Sequence, residues 1–204
     1  MPKTYAFEKN VKAEGGEWFA FDQTKDFIKS HTFGSNGVCA PLSIVFLGRA
    51  ACGDFAFKTY VISGDGEEDV MNLKYRQHTA SGYENSYLED FGLQLDYERK
   101  ESSLTVCEMV KNNKGYYFIG MSNIPETWDG TSLPEGAEGH AVVVINEPRD
   151  EKSTCCFFDP NFGEFYFPSM DNLSNFLKKY WKHYYKEMSS GSATIKCYSK
   201  KARR

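Results

Sequence analysis

The segment Gly37-Val38-Cys39-Ala40-Pro41-Leu42-Ser43-Ile44-Val45-Phe46-Leu47 opens with a glycine and continues as an apolar run. Residues 40–51 are apolar on nearly every face, which predicts a helix buried in the core and ending near Gly53. Pro41 suits the first helical turn, where its missing N–H costs no hydrogen bond. The segment therefore predicts a buried helix that carries a thiol, Cys39, at its N-terminus.

The position of Cys39 suits a reactive thiol. A cysteine reacts as its thiolate, and an ordinary thiol has a pKa of about 8.5. The positive end of a helix dipole favours the anion, and N–H groups of the same turn can donate to a carbonyl that the sulfur attacks. Gly37 leaves room for a substrate to approach. Taken alone, however, Cys39 would more often be a buried core thiol.

Two downstream segments supply partners for a thiol. His140 opens the apolar run His140-Ala141-Val142-Val143-Val144-Ile145, which is typical of a strand. Asp159 ends a second apolar run and is followed by the turn sequence Pro160-Asn161-Phe162-Gly163. If the two runs are neighbouring antiparallel strands, the imidazole and the carboxylate lie side by side. His140 would then accept the thiol proton, and Asp159 would hold the imidazole in the required tautomer.

Structural interpretations of the histidine and the acid remain open. A lone histidine at a strand end is commonly satisfied by the backbone, and Asp-Pro-Asn-Phe-Gly is also a strong turn sequence. The chain order Cys, His, Asp, which papain-like enzymes use, favours catalysis instead. Catalysis also needs an oxyanion donor beside the backbone N–H of Cys39. The sequence offers two amides, Asn36 three residues before the cysteine and Gln23 sixteen residues before it.

The segments Gly-Val-Cys-Ala-Pro-Leu-Ser, Gly-His-Ala-Val and Phe-Asp-Pro-Asn-Phe-Gly resemble those of the YopT/AvrPphB-type cysteine proteases. These are papain-like enzymes that bacterial secretion systems deliver into host cells. The resemblance covers three short islands within residues 35–167. It implies Cys39 as nucleophile, His140 as general base and Asp159 as orienting acid. It also implies an α+β, papain-like two-lobe fold, in which a helical lobe carrying the nucleophile packs on an antiparallel β-sheet carrying the histidine and the acid.

The second half of the chain has the pattern of a sheet followed by a helix. Short runs rich in β-branched and aromatic residues predict consecutive antiparallel strands over residues 115–121, 140–146, 154–159 and 163–167. Residues 170–187 predict a long amphipathic helix with one apolar and aromatic stripe. Residues 193–198 predict an edge strand that returns to the sheet. The pattern alone therefore indicates an α+β architecture.

Length and composition fit one globular domain. A chain of 204 residues with 41% hydrophobic residues can bury a sizeable core. No linker divides residues 1–204, so we expect one catalytic domain with flexible tails at residues 1–14 and 199–204. No run approaches the roughly 18 apolar residues of a membrane span, and the N-terminus lacks the apolar core of a cleaved signal peptide.

Charge and cysteine placement limit the expected partners. The net charge of −4 provides no overall basic field for nucleic acid. The six cysteines show no metal-ligand spacing, so we expect no metal and no cofactor. Five of them lie in apolar surroundings and are expected to be buried free thiols: Cys52, Cys107, Cys155, Cys156 and Cys197. The expected partner is a protein or peptide substrate, bound by a monomer. The basic segment 196–204 is expected to be a solvated tail, with contact to a membrane or a partner as the alternative.

Three hypotheses for the function remain open. The first is a protease that cleaves a host protein, near a membrane or at a defined peptide site, through a thioester intermediate. The second keeps the same three residues in a deamidase or transglutaminase acting on glutamine, or in an amidase acting on cell-wall peptides. The third is a non-catalytic binding module that retains the papain-like shell. The resemblance favours a secreted effector acting in the host cytosol, with the bacterial cytoplasm as the alternative location.

Overall fold

A computed structural model describes residues 3–28, 37–54, 57–79, 82–123, 138–147, 155–186, 188 and 192–201. The helices run over Lys3–Ala13 (α1), Cys39–Ala51 (α2), Phe57–Val61 (α3), Gly64–Thr79 (α4), Tyr83–Asp90 (α5), Ser103–Asn112 (α6) and Met170–Tyr184 (α7), and a π-helical turn covers Gln23–Phe27. The strands run over Glu17–Ala20 (β1), Leu93–Ser102 (β2), Gly115–Ser122 (β3), Gly139–Asn146 (β4), Cys155–Asp159 (β5), Gly163–Phe167 (β6) and Ser192–Lys200 (β7).

The strands form one seven-stranded sheet in the order β1-β6-β5-β4-β3-β7-β2, in which every neighbouring pair is antiparallel. Helices α2 to α5 pack on one face of the sheet, and α1, α6 and α7 pack on the other. The predicted α+β fold is confirmed, with Cys39 on a helix that packs against an antiparallel sheet carrying His140 and Asp159. The strands predicted at residues 115–167 correspond to β3, β4, β5 and β6.

Two hydrophobic clusters, one on each face, hold the layers together. Side chains of a strand point to opposite faces in turn, so Val142 and Val144 enter one cluster while Val143 enters the other. The adjacent thiols Cys155 and Cys156 divide between the faces in the same way. Because β4 and β5 are buried on both sides, they read as continuous apolar runs in the sequence. This double burial fixes the strand ends that carry His140 and Asp159.

The N-terminal residues differ from the prediction of a flexible tail at residues 1–14. They form α1, in which Phe7 and Val11 lie four residues apart on one face and are each only 1% exposed. The ring of Phe7 stacks on Tyr184 of α7 with centroids 4.3 Å apart. Two buried anchors on one helix face therefore dock α1 onto the α7 side of the sheet, which is why the tail prediction is wrong.

The C-terminal strand and one cysteine also differ from expectation. Strand β7 is not an edge strand, because it lies between β3 and β2 and pairs with both. It extends to Lys200, so residues 199 and 200 belong to the sheet, while 202–204 lie outside the described residues. All six cysteines are free, but Cys52 is exposed rather than buried, since it caps the C-terminus of α2 at the surface.

Within the described part of the chain, no helix combines the length and the apolar character that crossing a membrane requires.

Candidate active site

Cys39 is the first residue of α2 and lies at a cleft between the helical layer and the sheet. Residues 41–48 of the helix are all buried, which holds its N-terminus in place, whereas Cys39 itself is partly exposed. The N-cap residue Val38 provides no side-chain hydrogen bond to the first turn. The backbone N–H of Ala40 instead donates to the Cys39 sulfur, as expected for an anion at a helix N-terminus.

A buried hydrogen bond fixes α2 against the strand that carries His140. The Ser43 hydroxyl donates to the backbone carbonyl of Ala141 at 3.0 Å, and Ser43 is fully buried. Ser43 lies one helical turn after Cys39, on the same helix face, and Ala141 directly follows His140. The contact therefore sets the height of the thiol relative to the imidazole. The catalytic motifs do not predict this role of Ser43, although a polar residue inside an apolar helix is a signal for a buried hydrogen bond.

The Ser43 contact leads to a prediction with a matched control. Ser43→Ala removes a buried donor and leaves the Ala141 carbonyl unpaired, so we expect the free energy of unfolding to fall by about 1–2 kcal/mol in a urea titration. Ser174→Ala in α7 is the control, because the buried Ser174 hydroxyl has no hydrogen-bond partner among the described residues. That variant should be neutral or slightly stabilising. Equal destabilisation of both variants would contradict a specific role for Ser43.

His140 lies between the thiol and the acid. Its ring is buried, with Nε2 2.9 Å from Asp159 Oδ1. A second side-chain hydrogen bond joins His140 to Cys39. Because Asp159 occupies Nε2, Nδ1 is the nitrogen that remains for the sulfur. The structure thus brings Cys39, His140 and Asp159 together in one connected row.

Asp159 is the most heavily bonded side chain of the site. It ends β5 and has no exposure to solvent. Besides His140, its carboxylate accepts hydrogen bonds from the Asn161 backbone N–H at 2.8 Å, the Tyr180 hydroxyl at 2.8 Å and the Tyr185 hydroxyl at 2.7 Å. The Asn161 contact is the turn-forming interaction that the sequence offered as the alternative role. Asp159 therefore serves the turn and contacts the imidazole at the same time.

The charges of the three groups support one another. Burial raises the pKa of the Cys39 thiol, but the hydrogen bond and charge of His140 and the N–H groups of Ala141 and Ala40 outweigh it, so this pKa lies below its ordinary value. Burial lowers the pKa of His140, but the Asp159 carboxylate outweighs it and raises that pKa to about 10. Burial raises the pKa of Asp159, but the His140 charge and the Tyr185 hydrogen bond bring it below its usual range. The arrangement favours a thiolate beside an imidazolium at neutral pH.

The cleft over these residues has a volume of about 870 Å³, and its lining includes Cys39, His140 and Gln23. The backbone N–H of Gln23 donates to the Pro160 carbonyl at 2.7 Å, and its amide Nε2 donates to Asn161 Oδ1 at 2.5 Å. The Gln23 amide is therefore held at the edge of the cleft that contains the thiol. Asn36, the other predicted amide, lies outside the described residues.

The sequence pattern does not predict the roles of the two tyrosines that bond to Asp159. Tyr180 was predicted on the buried stripe of the amphipathic helix, but its hydroxyl partner depends on a contact across the fold. Tyr185 was predicted to continue that helix. Instead α7 ends at Tyr184, because Tyr185 leaves helical geometry with φ −128° and ψ 41°. No local sequence signal distinguishes Tyr185 from the tyrosine before it.

Part of the chain matches the model of a known protein family. The family model described as Yersinia/Haemophilus virulence surface antigen matches residues 131–197, a range that contains His140 and Asp159 but not Cys39. No curated protein sequence matches the chain.

Two solved structures are similar in fold. The Pseudomonas avirulence protein AvrPphB is 18% identical with a TM-score of 0.55, over 81% of this chain and 93% of the AvrPphB chain. PatoxP, a cysteine protease-like domain of the Photorhabdus asymbiotica toxin PaTox, is 12% identical with a TM-score of 0.50, over 96% of this chain and 57% of that chain. The chain therefore has a YopT/AvrPphB-type cysteine protease-like fold.

Proposed function

We propose that this chain, which has a YopT/AvrPphB-type cysteine protease-like fold, is a cysteine protease whose nucleophile is Cys39. The observation that carries the proposal is the connected row of sulfur, imidazole and buried carboxylate at the cleft. A nucleophile, a base within hydrogen-bonding reach and a third group that orients the base are the parts that covalent acyl transfer needs.

In the proposed reaction, the Cys39 thiolate attacks the carbonyl carbon of the scissile peptide bond and forms a tetrahedral intermediate. As that intermediate collapses, the C–N bond breaks, and the His140 imidazolium gives its proton to the leaving amine. A thioester between Cys39 and the substrate remains. Neutral His140 then takes a proton from a water molecule, whose oxygen attacks the thioester. The C–S bond breaks, the acid product leaves, and the Cys39 thiolate and the His140 imidazolium are restored. Asp159 keeps Nε2 engaged throughout, so Nδ1 stays directed at the reacting groups.

The tetrahedral oxyanion needs hydrogen-bond donors at the N-terminus of α2. The backbone N–H of Cys39 is one donor, since the first N–H groups of a helix have no intrahelical partner. Gln23 is the second, because its amide nitrogen carries two hydrogens and Asn161 takes one of them. Asn36 stays the alternative second donor, given its position three residues before the thiol.

The proposed substrate is a protein, and the proposed place of action is the cytosol of a host cell. The support is the origin of the two similar structures, a Pseudomonas avirulence protein and a domain of a Photorhabdus toxin. The cleft has a volume of about 870 Å³, and residues after α7, among them Tyr185 and Lys186, contribute to its lining. The bacterial cytoplasm is the alternative location.

Terminus profiling tests this function. A host-cell lysate is incubated with the wild-type protein or with Cys39→Ala, and new peptide N-termini are identified by mass spectrometry. We expect new termini in the wild-type sample and none beyond background with Cys39→Ala. A gain of about 1 Da on glutamine without new termini would replace the protease by a deamidase that uses the same residues, with chemistry at the sulfur unchanged. Identical wild-type and Cys39→Ala samples would contradict the proposal.

A further inference from the structure

Tyr185 contacts His140, the side-chain partner of the Cys39 thiol, and Asp159, the partner of His140. Its hydroxyl donates to Asp159 Oδ2 at 2.7 Å. Its ring stacks on the His140 imidazole with centroids 5.0 Å apart and an angle of 16° between the planes. Tyr185 also lines the cleft and is half-buried, so its ring separates part of the imidazole from the open space of the cleft.

Three hydrogen bonds hold Tyr185 in this position and run in one direction. Gln23 Nε2 donates to Asn161 Oδ1 at 2.5 Å, and Asn161 Nδ2 donates to the Tyr185 hydroxyl at 3.2 Å. The Tyr185 hydroxyl then donates to the Asp159 carboxylate. In each of these bonds the hydrogen is donated in the direction of the charged Asp159 carboxylate, so each bond polarises and strengthens the next. These three hydrogen bonds link the Asp159 carboxylate to the Gln23 amide at the edge of the cleft.

Tyr180 offers an internal comparison. Its hydroxyl donates to the same oxygen, Asp159 Oδ2, at 2.8 Å, and it is 2% exposed. Its ring lies 5.9 Å from the Tyr185 ring, on the core side. Among the described ring pairs, His140 stacks on Tyr185 and not on Tyr180. The two tyrosines therefore give Asp159 similar hydrogen bonds and differ in what they do to the imidazole.

We infer that Tyr185 is a positioning residue for the proposed reaction: its ring covers the imidazole of His140 while its hydroxyl fixes the acid behind that imidazole. The inference rests on the proposed function. The electron-rich face of a tyrosine attracts a cation, and a ring that excludes water strengthens the attraction between neighbouring charges. Both effects stabilise the imidazolium and, through it, the Cys39 thiolate. Without the ring, the thiolate forms only at higher pH.

The test is the pH dependence of Cys39 alkylation by iodoacetamide, followed by mass spectrometry of the Cys39 peptide. Tyr185→Leu removes ring and hydroxyl, and we expect the pH of half-maximal rate to rise by about one unit, so that alkylation on the acid side is about tenfold slower. Tyr185→Phe keeps the ring but loses the hydroxyl and with it the hydrogen bonds to Asn161 and Asp159. The pH of half-maximal rate should then rise by about half as much as in Tyr185→Leu. Tyr180→Phe removes a donor from the same carboxylate oxygen and should shift it by less than a third as much.

The outcomes separate this inference from the proposed function. If wild-type Cys39 reacts at pH 6 no faster than the buried Cys107, the proposed function fails. If wild-type Cys39 reacts fast at pH 6 and the Tyr185→Leu profile superimposes on the wild-type one, only the role of Tyr185 fails. Equal pH shifts in Tyr180→Phe and Tyr185→Leu would show that Tyr185 acts only through its hydrogen bond to Asp159. That result would contradict a role for its ring. Thermal unfolding confirms that each variant is folded, and Tyr185→Phe carries the test if Tyr185→Leu is not.

Discussion

Replacing Asp159 by alanine should remove both the reactivity of Cys39 and much of the stability of the fold. The buried carboxylate accepts hydrogen bonds from His140, Tyr180, Tyr185 and the backbone N–H of Asn161. Alanine leaves all of these donors without their acceptor, and two of them, His140 and Tyr180, are buried. Because removing one partner of a buried ion pair typically costs about 3–5 kcal/mol, we expect the free energy of unfolding to fall by that amount.

Urea denaturation at pH 6 measures this fall in the free energy of unfolding. Two other variants show which property of Asp159 causes it. Asp171→Ala is the matched control, since Asp171 has 73% of its side chain exposed and pairs with Lys111 at the surface. Its urea midpoint should barely change. Asp159→Asn keeps the shape and one acceptor oxygen, so it should recover part of the stability while Cys39 remains slower than in the wild type. Equal midpoints for Asp159→Ala and Asp171→Ala would contradict the stability contribution that the buried hydrogen bonds of Asp159 predict.

The stability difference between wild type and Asp159→Ala should depend on pH in a defined way. The pKa of Asp159 is lowered in the folded state, so its contribution is present above its ordinary pKa of 3.8 and is lost as the pH falls further. The pKa of His140 is raised from 6.5 to about 10, so its contribution is complete below pH 6.5 and is lost as the pH rises toward 10. The difference should therefore be largest between about pH 4 and 6.5.

The features that the sequence predicted are those coded locally. The helix that begins at Cys39 follows from a continuous apolar run behind a glycine turn, and strands β4 and β5 follow from apolar runs bounded by turn residues. The juxtaposition of His140 and Asp159 needed one further assumption, that consecutive strands pair. The register confirms that pairing, with Val143 opposite Phe158.

The features that the sequence did not predict depend on distant contacts. Strand β2 is mostly exposed and highly charged, so it lacks the alternation of a half-buried strand. Its place in the sheet comes from pairing with β7, about a hundred residues later in the chain. The hydroxyl of Tyr185 likewise finds Asp159 only because the chain leaves helical geometry at that residue. Local periodicity contains no information about either contact.

Replacing His140 by alanine should abolish the special reactivity of Cys39. The thiol keeps its burial, which raises its pKa, and loses the hydrogen bond and the charge that lower it. General acid–base help of this kind contributes about 10²–10⁴-fold to a reaction rate, and we expect cleavage of any substrate found by terminus profiling to fall within that range or below detection. The variant leaves the buried Asp159 carboxylate without its counter-charge, so thermal unfolding should occur at a lower temperature. The hydrogen bonds that Asp159 accepts from Tyr180, Tyr185 and Asn161 should keep the variant folded.

Alkylation of Cys39 reports the same change without a substrate. In His140→Ala the rate should rise about tenfold per pH unit up to pH 8, as for an ordinary thiol. At pH 6 we expect at least about a tenfold lower rate than in the wild type, since the weaker nucleophilicity of a low-pKa thiolate offsets part of the gain in thiolate fraction. His183→Ala is the control, because His183 is exposed on α7 and lines another part of the cleft. A wild-type profile in His140→Ala would exclude His140 as the partner of the thiol.

The most direct test of the central claim is site-resolved alkylation of all six cysteines in the wild-type protein between pH 5 and pH 9. A thiolate held beside an imidazolium predicts that Cys39 is the fastest-reacting of the six thiols at pH 6 and that its rate levels off at a lower pH than that of an ordinary thiol. Burial raises the pKa of Cys107 to about 11 and also raises that of Cys197, so neither should react measurably below pH 8. A Cys39 rate that stays negligible at pH 6 and climbs only above pH 8 would contradict the account.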